Sequence, residues 1–403
     1  MSNMDNRRSS TEEIKNIVAD GYRNILKREP DPGGFEHYVH YISSGGITKE
    51  RFLEILRNSK EYGDIIANIV ISEKNICRTK PHILFVTEKW CDYSPLGGPT
   101  NSEHNLFGSL EESNIATQEH LHYDEYYHQH HHSCDNAMIQ LCAKSRPDIL
   151  FYSNCYGHVC PKWETFGIIK KRLGIPVARI CWEANDDTDP GLQYVDLNIV
   201  LHSSYMKKTR DLEKFIHMWV PQDPRIYYNP DIKRDIDISF MGSTAERIPG
   251  YYVDRRNGIN ALRSNGIDIY KSGGQREHRV SVNEYANIFM RSKIALNFCW
   301  GWGNSIQAKG RIFEATLCGA MLLEADNPET SLWFEPMVDY IPFNDEKDLV
   351  KKAKYYIEHD SEREKIAESG YRKAKEKYNN NIFWNTIVNR ILGKKYSNTN
   401  LRQ

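Results

Sequence analysis

Val220-Pro221-Gln222-Asp223-Pro224 is an extended, proline-bounded link, and beyond it Ile236-Asp237-Ile238-Ser239-Phe240-Met241-Gly242 reads as a strand running into a glycine turn. That restart decides the fold, because short apolar runs alternate with amphipathic segments on both sides of the link. Upstream the runs are His82-Ile83-Leu84-Phe85-Val86-Thr87, Asp148-Ile149-Leu150-Phe151, Val177-Ala178-Arg179-Ile180-Cys181-Trp182 and Leu197-Asn198-Ile199-Val200-Leu201. Between them lie helical patterns near 101–113, 134–144 and 161–173. Downstream come Ile267-Asp268-Ile269-Tyr270, Ile294-Ala295-Leu296-Asn297-Phe298, Ala320-Met321-Leu322-Leu323 and Tyr340-Ile341-Pro342-Phe343. Charged amphipathic helices at about 345–358, 361–378 and 382–393 follow. Apolar runs bounded by turn residues are buried parallel strands, and strand–helix–strand alternation builds doubly wound α/β domains. Two Rossmann-like domains facing a cleft are therefore predicted.

The first 75 or so residues differ, with apolar residues at helical spacing in Ile14, Ile17, Val18, Tyr22, Ile25 and Leu26. Glu29-Pro30-Asp31-Pro32-Gly33-Gly34 breaks that pattern, and Thr48 caps a further helix carrying Phe52, Ile55 and Leu56. The expected organisation is a small all-α module over 1–76, Rossmann-like domains over 77–221 and 222–378, and a C-terminal helix and tail over 379–403. Lys+Arg number 53 and Asp+Glu 54, a net charge of −1 that excludes a globally basic nucleic-acid coat. No apolar run is long enough to span a membrane, the start is polar, and nine scattered cysteines form no C-x-x-C pair. A cytoplasmic protein with reduced thiols is expected.

In such sheets, ligands bind beyond the carboxyl ends of the strands. Lys309-Gly310-Arg311-Ile312-Phe313-Glu314-Ala315-Thr316-Leu317-Cys318-Gly319 reads as a helix after the glycine-rich loop Gly301-Trp302-Gly303-Asn304. Lys309 and Arg311 occupy its first turn, where the helix dipole disfavours cations unless an anion docks there. Glu314 follows one turn later, and a carboxylate accepts two hydrogen bonds side by side, as from vicinal ribose hydroxyls. A helix with solvent-facing cations paired to its own glutamate accounts for the pattern equally well. Gly242-Ser243 with Arg247, Arg255 and Arg256 is a second anion candidate, and a solvated helix face is the plainer reading of Arg255 and Arg256. In the first domain, Gly97-Gly98 follows the opening strand, and Glu183, Asp186 and Asp187 follow a later one. Any of these three acids is placed to orient an acceptor hydroxyl or act as base, and the residues alone do not choose between them.

Arg311-x-x-Glu314-Ala315-x-x-Cys318-Gly319 resembles the R-x-x-E-A core of the group 1 glycosyltransferases, in the branch that includes spore-maturation-type proteins. Tyr285-Ala286-x-Ile288, Ser292-Lys293-Ile294-x-Leu296-Asn297 and Asp345-x-x-Asp348-Leu349 are similar to that branch as well. The resemblance implies a GT-B fold with a nucleotide-sugar donor on the second domain and the acceptor on the first. It implies that Glu314 binds the donor ribose, that Arg311 lies beside the diphosphate, and that Arg247 meets the phosphates. By the same resemblance, Gly97-Gly98 faces the donor phosphates and acceptor. Ile306, with Gln307 beside it, stands where many retaining members carry a second glutamate. Asp187-Thr188-Asp189 resembles the metal-binding D-x-D of the other large glycosyltransferase fold, and His128, His130, His131 and His132 form a histidine run. Tandem Rossmann patterning and the adjacency of the histidines argue against a metal site in either place. Tyr22-Arg23-x-x-Leu26-x-Arg28-x-Pro30-Asp31-x-x-Gly34 is similar to a helical domain of unknown function found in bacterial surface-associated and multidomain proteins. The expected activity is sugar transfer from a nucleotide diphosphate to the hydroxyl of a glycan, protein or other acceptor, with retained configuration, no metal and no cofactor. A protein partner is expected through residues 1–76. The alternatives are a nucleotide-sugar epimerase of the same fold and a non-catalytic scaffold.

Overall fold

The structure, a computed structural model, describes residues 11–70, 78–154, 157–182, 189–208, 212–230, 232–244, 253–272, 280–299, 306 and 308–393. The helical module comprises α1 (Thr11–Gly21), α2 (Pro32–Ser43), α3 (Lys49–Arg57) and α4 (Lys60–Val70). Asp31 and Thr48 cap α2 and α3 by accepting from Gly34 and Arg51 N–H. Val18, Tyr22, Ile25, Leu26, Phe52 and Leu56 close the module's own core.

The first lobe is a parallel sheet in the order β2-β1-β3-β4-β5-β6. Its strands are β1 (His82–Thr87), β2 (Thr117–His122), β3 (Ile149–Asn154), β4 (Val177–Cys181), β5 (Leu197–Val200) and β6 (Phe215–His217). Central strands are mostly apolar because helices cover both faces, and the exceptions are paired: buried Arg179 of β4 donates to Asn198 of β5. One face packs on α6 (Tyr123–His130), α7 (Asp135–Ser145) and α8 (Trp163–Ile168). The other packs on a π-wound segment, Glu103–Gly108, that continues into α5 (Ser109–Ser113). A short α9 (Ser203–Lys208) follows β5.

The second lobe is a parallel sheet in the order β11-β10-β9-β7-β8. It is built from β7 (Ile236–Met241), β8 (Tyr270–Ser272), β9 (Ser292–Asn297), β10 (Met321–Ala325) and β11 (Ile341–Phe343). Its helices are α10 (Val253–Ser264), α11 (Val282–Arg291), α12 (Arg311–Leu317), α13 (Glu346–Glu358) and α14 (Asp360–Lys377). The chain then returns to the first lobe, where α15 (Asn380–Leu392) completes the core on the α5 side. Trp384 is fully buried there against Phe85 and Phe151, and its indole N–H donates to Ser109 Oγ at 3.0 Å. Trp384→Ala is expected to destabilise the first lobe by about 3–5 kcal/mol, read as an earlier first transition in thermal denaturation.

The lobes meet where Trp219 stacks on Phe313, with centroids 5.2 Å apart, and where His217 packs on Trp333. Glu329 reaches across to accept from the backbone N–H (3.2 Å) and the hydroxyl of Ser203. The helical module sits on α7: a Cβ on Gly63 would stand 2.8 Å from Ile139, and His132 pairs with Glu54 at 2.6 Å. Among the described residues, no helix is long and apolar enough to cross a membrane.

Candidate functional site

In the second sheet the strand order reverses between β7 and β9, and that switch point is where an open α/β sheet leaves a crevice for ligands. Arg311 stands there. Its Nε donates to Asn297 Oδ1 at the end of β9 (2.8 Å), and its Nη1 to the Met241 carbonyl at the end of β7 (2.9 Å). Gly242 lies against the same guanidinium, since a Cβ there would be 3.2 Å from Nη1. Asn297 in turn donates from Nδ2 to Glu324 Oε2 (2.7 Å), so one polar chain ties the ends of β7, β9 and β10 together. Two bonds to fixed acceptors remove the rotamer freedom of a long side chain and preorganise its charge.

Glu324 is fully buried, and burial pushes its carboxyl up to about 8 despite the Asn297 bond and the nearby Arg311, Arg255 and Lys309. Burial thus favours its uncharged form. Arg311, Arg255 and Lys309 therefore converge on strand ends where the central acid offers little counter-charge, an arrangement that attracts an anion. A carboxyl raised on folding stabilises the native state below its unfolded pKa, and that contribution is lost as pH rises through the folded value. Glu324→Gln is accordingly expected to flatten the loss of thermal stability between the ordinary carboxylate range and about 8. Melting curves of both proteins across that window give the measurement.

Glu314, one turn into α12, is 6% exposed. The half-buried Tyr285 of α11 donates its hydroxyl to Glu314 Oε2 at 2.6 Å, a charge-assisted bond that fixes the carboxylate. Burial raises the Glu314 pKa, opposed by the Tyr285 bond and the Arg311 charge. The other oxygen, Oε1, lies toward Gly310, where a Cβ would approach it to 2.9 Å. Glycine at 310 keeps a side chain off that oxygen. One carboxylate oxygen is thus committed internally and the other faces the junction, a narrower arrangement than two oxygens open to a diol. The helix itself has only seven residues, so the side-chain cations carry most of the attraction for an anion.

Glu183, Asp186, Asp187, Arg247 and Gln307 lie outside the described residues. Ile306 is exposed. Gly97 and Gly98 have local reasons: a Cβ on Gly97 would strike the Cys91 carbonyl at 2.3 Å, and Gly98 adopts φ +73° in a tight turn. Asp189 is engaged by the buried Arg179 at 2.6 Å and caps the Gly191 N–H. His132 belongs to the contact with the helical module, and His128 Nε2 lies 2.7 Å from the Tyr93 carbonyl. No group of three metal-ligating side chains occurs among the described residues.

The structure also corrects one reading and adds residues. Arg255, expected on a solvated face, is 4% exposed, and its guanidinium meets the Ser243 carbonyl at 3.3 Å. The signal was present, because Arg255 shares the spacing of the buried Ile259 and Leu262 on α10. Asn297 and Glu324 are polar groups at or near the carboxyl ends of apolar runs, and that placement marks them too.

Residues 254–389 match the family model described as "Glycosyl transferase-like", and residues 6–64 match a domain of unknown function, DUF4214. No curated protein sequence matches the chain. Among solved structures, the fold is similar to that of Anabaena HepE in complex with UDP and glucose. The two are 12% identical with a TM-score of 0.51, over 78% of this chain and 100% of that one. It is similar also to AviGT4, a glycosyltransferase involved in avilamycin A biosynthesis, at 10% identity and TM-score 0.51, over 79% of this chain and 98% of that one. The chain thus has a GT-B fold, in which residues 254–389 of the second lobe match a glycosyl transferase-like model and the leading helices match DUF4214.

Proposed function

We propose that this chain transfers a sugar from a nucleoside diphosphate to an acceptor hydroxyl. The observation that carries the reading is Arg311, held across the ends of β7 and β9 at the switch point with Lys309 and Arg255 nearby. In this reading the departing diphosphate gains charge as the glycosidic bond breaks, and preoriented cations stabilise that charge without reorganising. Glu314 Oε1 accepts from a ribose hydroxyl while Tyr285 holds Oε2, which fixes the donor relative to the cations. HepE, whose structure is a complex with UDP and glucose, supports a nucleotide-sugar donor through the shared fold.

Retention of configuration is part of the proposal, with the leaving phosphate and the incoming hydroxyl on one face and no strong protein base. In support, three acids among the described residues of the first lobe are internally engaged. Glu88 accepts from the Tyr123 hydroxyl at 3.0 Å, Asp124 accepts from the Lys89 and Trp90 N–H groups, and Asp189 pairs with Arg179. Charge neutralisation by Arg311 and Lys309 rather than by a metal is proposed on the same grounds. The DUF4214 module is proposed as an adaptor, since Phe35, Tyr38, Val39 and Ile42 of α2 are only partly buried against its core.

A screen of nucleotide sugars for binding and hydrolysis tests the proposal, and incubation with donor alone distinguishes transfer from epimerisation. Gly310→Ala crowds Glu314 Oε1 and is expected to raise the donor KM about tenfold, roughly 1.4 kcal/mol, with kcat changed less. Steady-state kinetics with the identified donor reads this out.

A further inference from the structure

A groove of about 490 Å³ runs along the outer strand of the first lobe, within the size range of small-molecule sites. Side chains two apart on a strand share a face, so Gln118, His120 and His122 of β2 form one wall. Glu103, His104, Phe107 and Glu111, at helical spacing on Glu103–Gly108 and α5, form the other. Asp223 and Arg225 of the interlobe link close one side. The link seats there because position 108 is glycine: a Cβ would lie 2.2 Å from Asp223 Oδ2.

A seam between a sheet face and its covering helix is ordinarily filled with apolar side chains. Here it is polar and open. Burial pushes His104 and His120 down to about 4 and lowers His122 as well, which favours neutral imidazoles that carry one donor and one acceptor nitrogen, His122 Nδ1 being shared with Thr87 Oγ1 at 3.4 Å. Gln118 donates to the Phe107 carbonyl at 3.2 Å, and its Oε1 is buried without a hydrogen-bond partner among the described residues. The charges are three carboxylates and one guanidinium, and Arg225 is already clasped by Asp223 and Glu111. Such a surface repels phosphate, sulfate and carboxylate groups and suits hydroxyls. At one end His104 packs on Tyr227, with centroids 6.1 Å apart, and Tyr227 in turn lies beside Glu314 and Tyr285.

We propose that this groove is a carbohydrate subsite that seats a neutral, hydroxyl-rich glycan chain of the acceptor and leads it toward the donor cleft. The acceptor role rests on the glycosyl-transfer reading, whereas binding itself is measurable without any donor. The test is titration of the full chain with labelled neutral oligosaccharides (maltotriose, cellotriose, chitotriose, mannotriose) and with a hyaluronan tetrasaccharide as the anionic comparison. A neutral probe is expected to bind, and the Glu103→Ala/His122→Ala variant is expected to weaken it at least tenfold. Glu111→Ala, at an exposed residue, supplies a second variant should the double substitution unfold the lobe. Melting shifts with UDP, GDP and ADP run in parallel, so failure of the donor reading shows as no shift in the unaltered protein and leaves the glycan result standing. Binding by no neutral probe, preference for the anionic one, or equal affinity in the folded variants overturns the proposal.

Discussion

Replacing Arg311 by alanine is expected to lower kcat for sugar transfer by roughly 10²–10³, the usual cost of removing one preorganised electrostatic group. The expectation follows from how the residue is held. Its Nε and Nη1 are bonded to Asn297 and to the Met241 carbonyl, which fixes the guanidinium at the crevice where the second sheet reverses its order. The same bonds contribute to stability, at about 1.5–3 kcal/mol for hydrogen bonds to a charged group, so a fall in Tm accompanies the kinetic loss. Arg311→Lys separates the two effects. A lysine restores a positive charge but not the two-point attachment, and kcat is expected to recover only in part. Rates equal to the unaltered protein's in Arg311→Ala would show that the diphosphate is stabilised elsewhere.

Glu314→Ala has the second large effect, on donor affinity. Removing a charged acceptor for a ribose hydroxyl is expected to raise the donor KM about 10- to 100-fold. The substitution also deprives the Tyr285 hydroxyl of its 2.6 Å partner, so some destabilisation follows that has nothing to do with the ligand. The double variant Glu314→Ala/Tyr285→Phe removes both polar partners together, and replacing a pair costs less than orphaning one member. Tm is therefore expected to return toward normal in the double variant while donor affinity stays low. Recovery of both would mean that Glu314 matters only to the packing of α11 against α12.

Most of the architecture was legible because burial leaves a strong pattern. The central strands β1, β3, β4 and β9 are built around short apolar runs, and Gly174 and Gly319 end their helices with positive φ. The edges were harder. β2 (Thr-Gln-Glu-His-Leu-His) has no apolar run because it pairs on one side only and lines a polar groove, so its sequence does not announce a strand. β6 is three residues long, and β8 begins at Tyr270, where the apolar run Ile267–Tyr270 ends. Those apolar residues serve the core instead: Ile267 and Ile269 are buried in it.

At the candidate site, the types of Arg311, Lys309 and Glu314 were readable, but their neighbours were not. Spacing along α12 places Glu314 one turn from Gly310, yet only the fold brings Tyr285 from another helix to its oxygen. Similarly, the Glu324–Asn297–Arg311 chain joins residues from three elements, and no local pattern encodes such a link. Arg255 was misread because charge was weighed above its position on a buried stripe. The histidine run illustrates the converse. Adjacent imidazoles invite a metal reading, whereas His132 is used to join the DUF4214 module to the first lobe.

Calorimetric titration of the unaltered protein and of Arg311→Ala with UDP, GDP, ADP and CDP tests the central claim most directly. The account predicts that at least one of these diphosphates binds the unaltered protein and that Arg311→Ala weakens it by tenfold or more. Binding of none, or binding that the alanine variant leaves unchanged, contradicts the assignment of the β7–β9 strand ends as the diphosphate site.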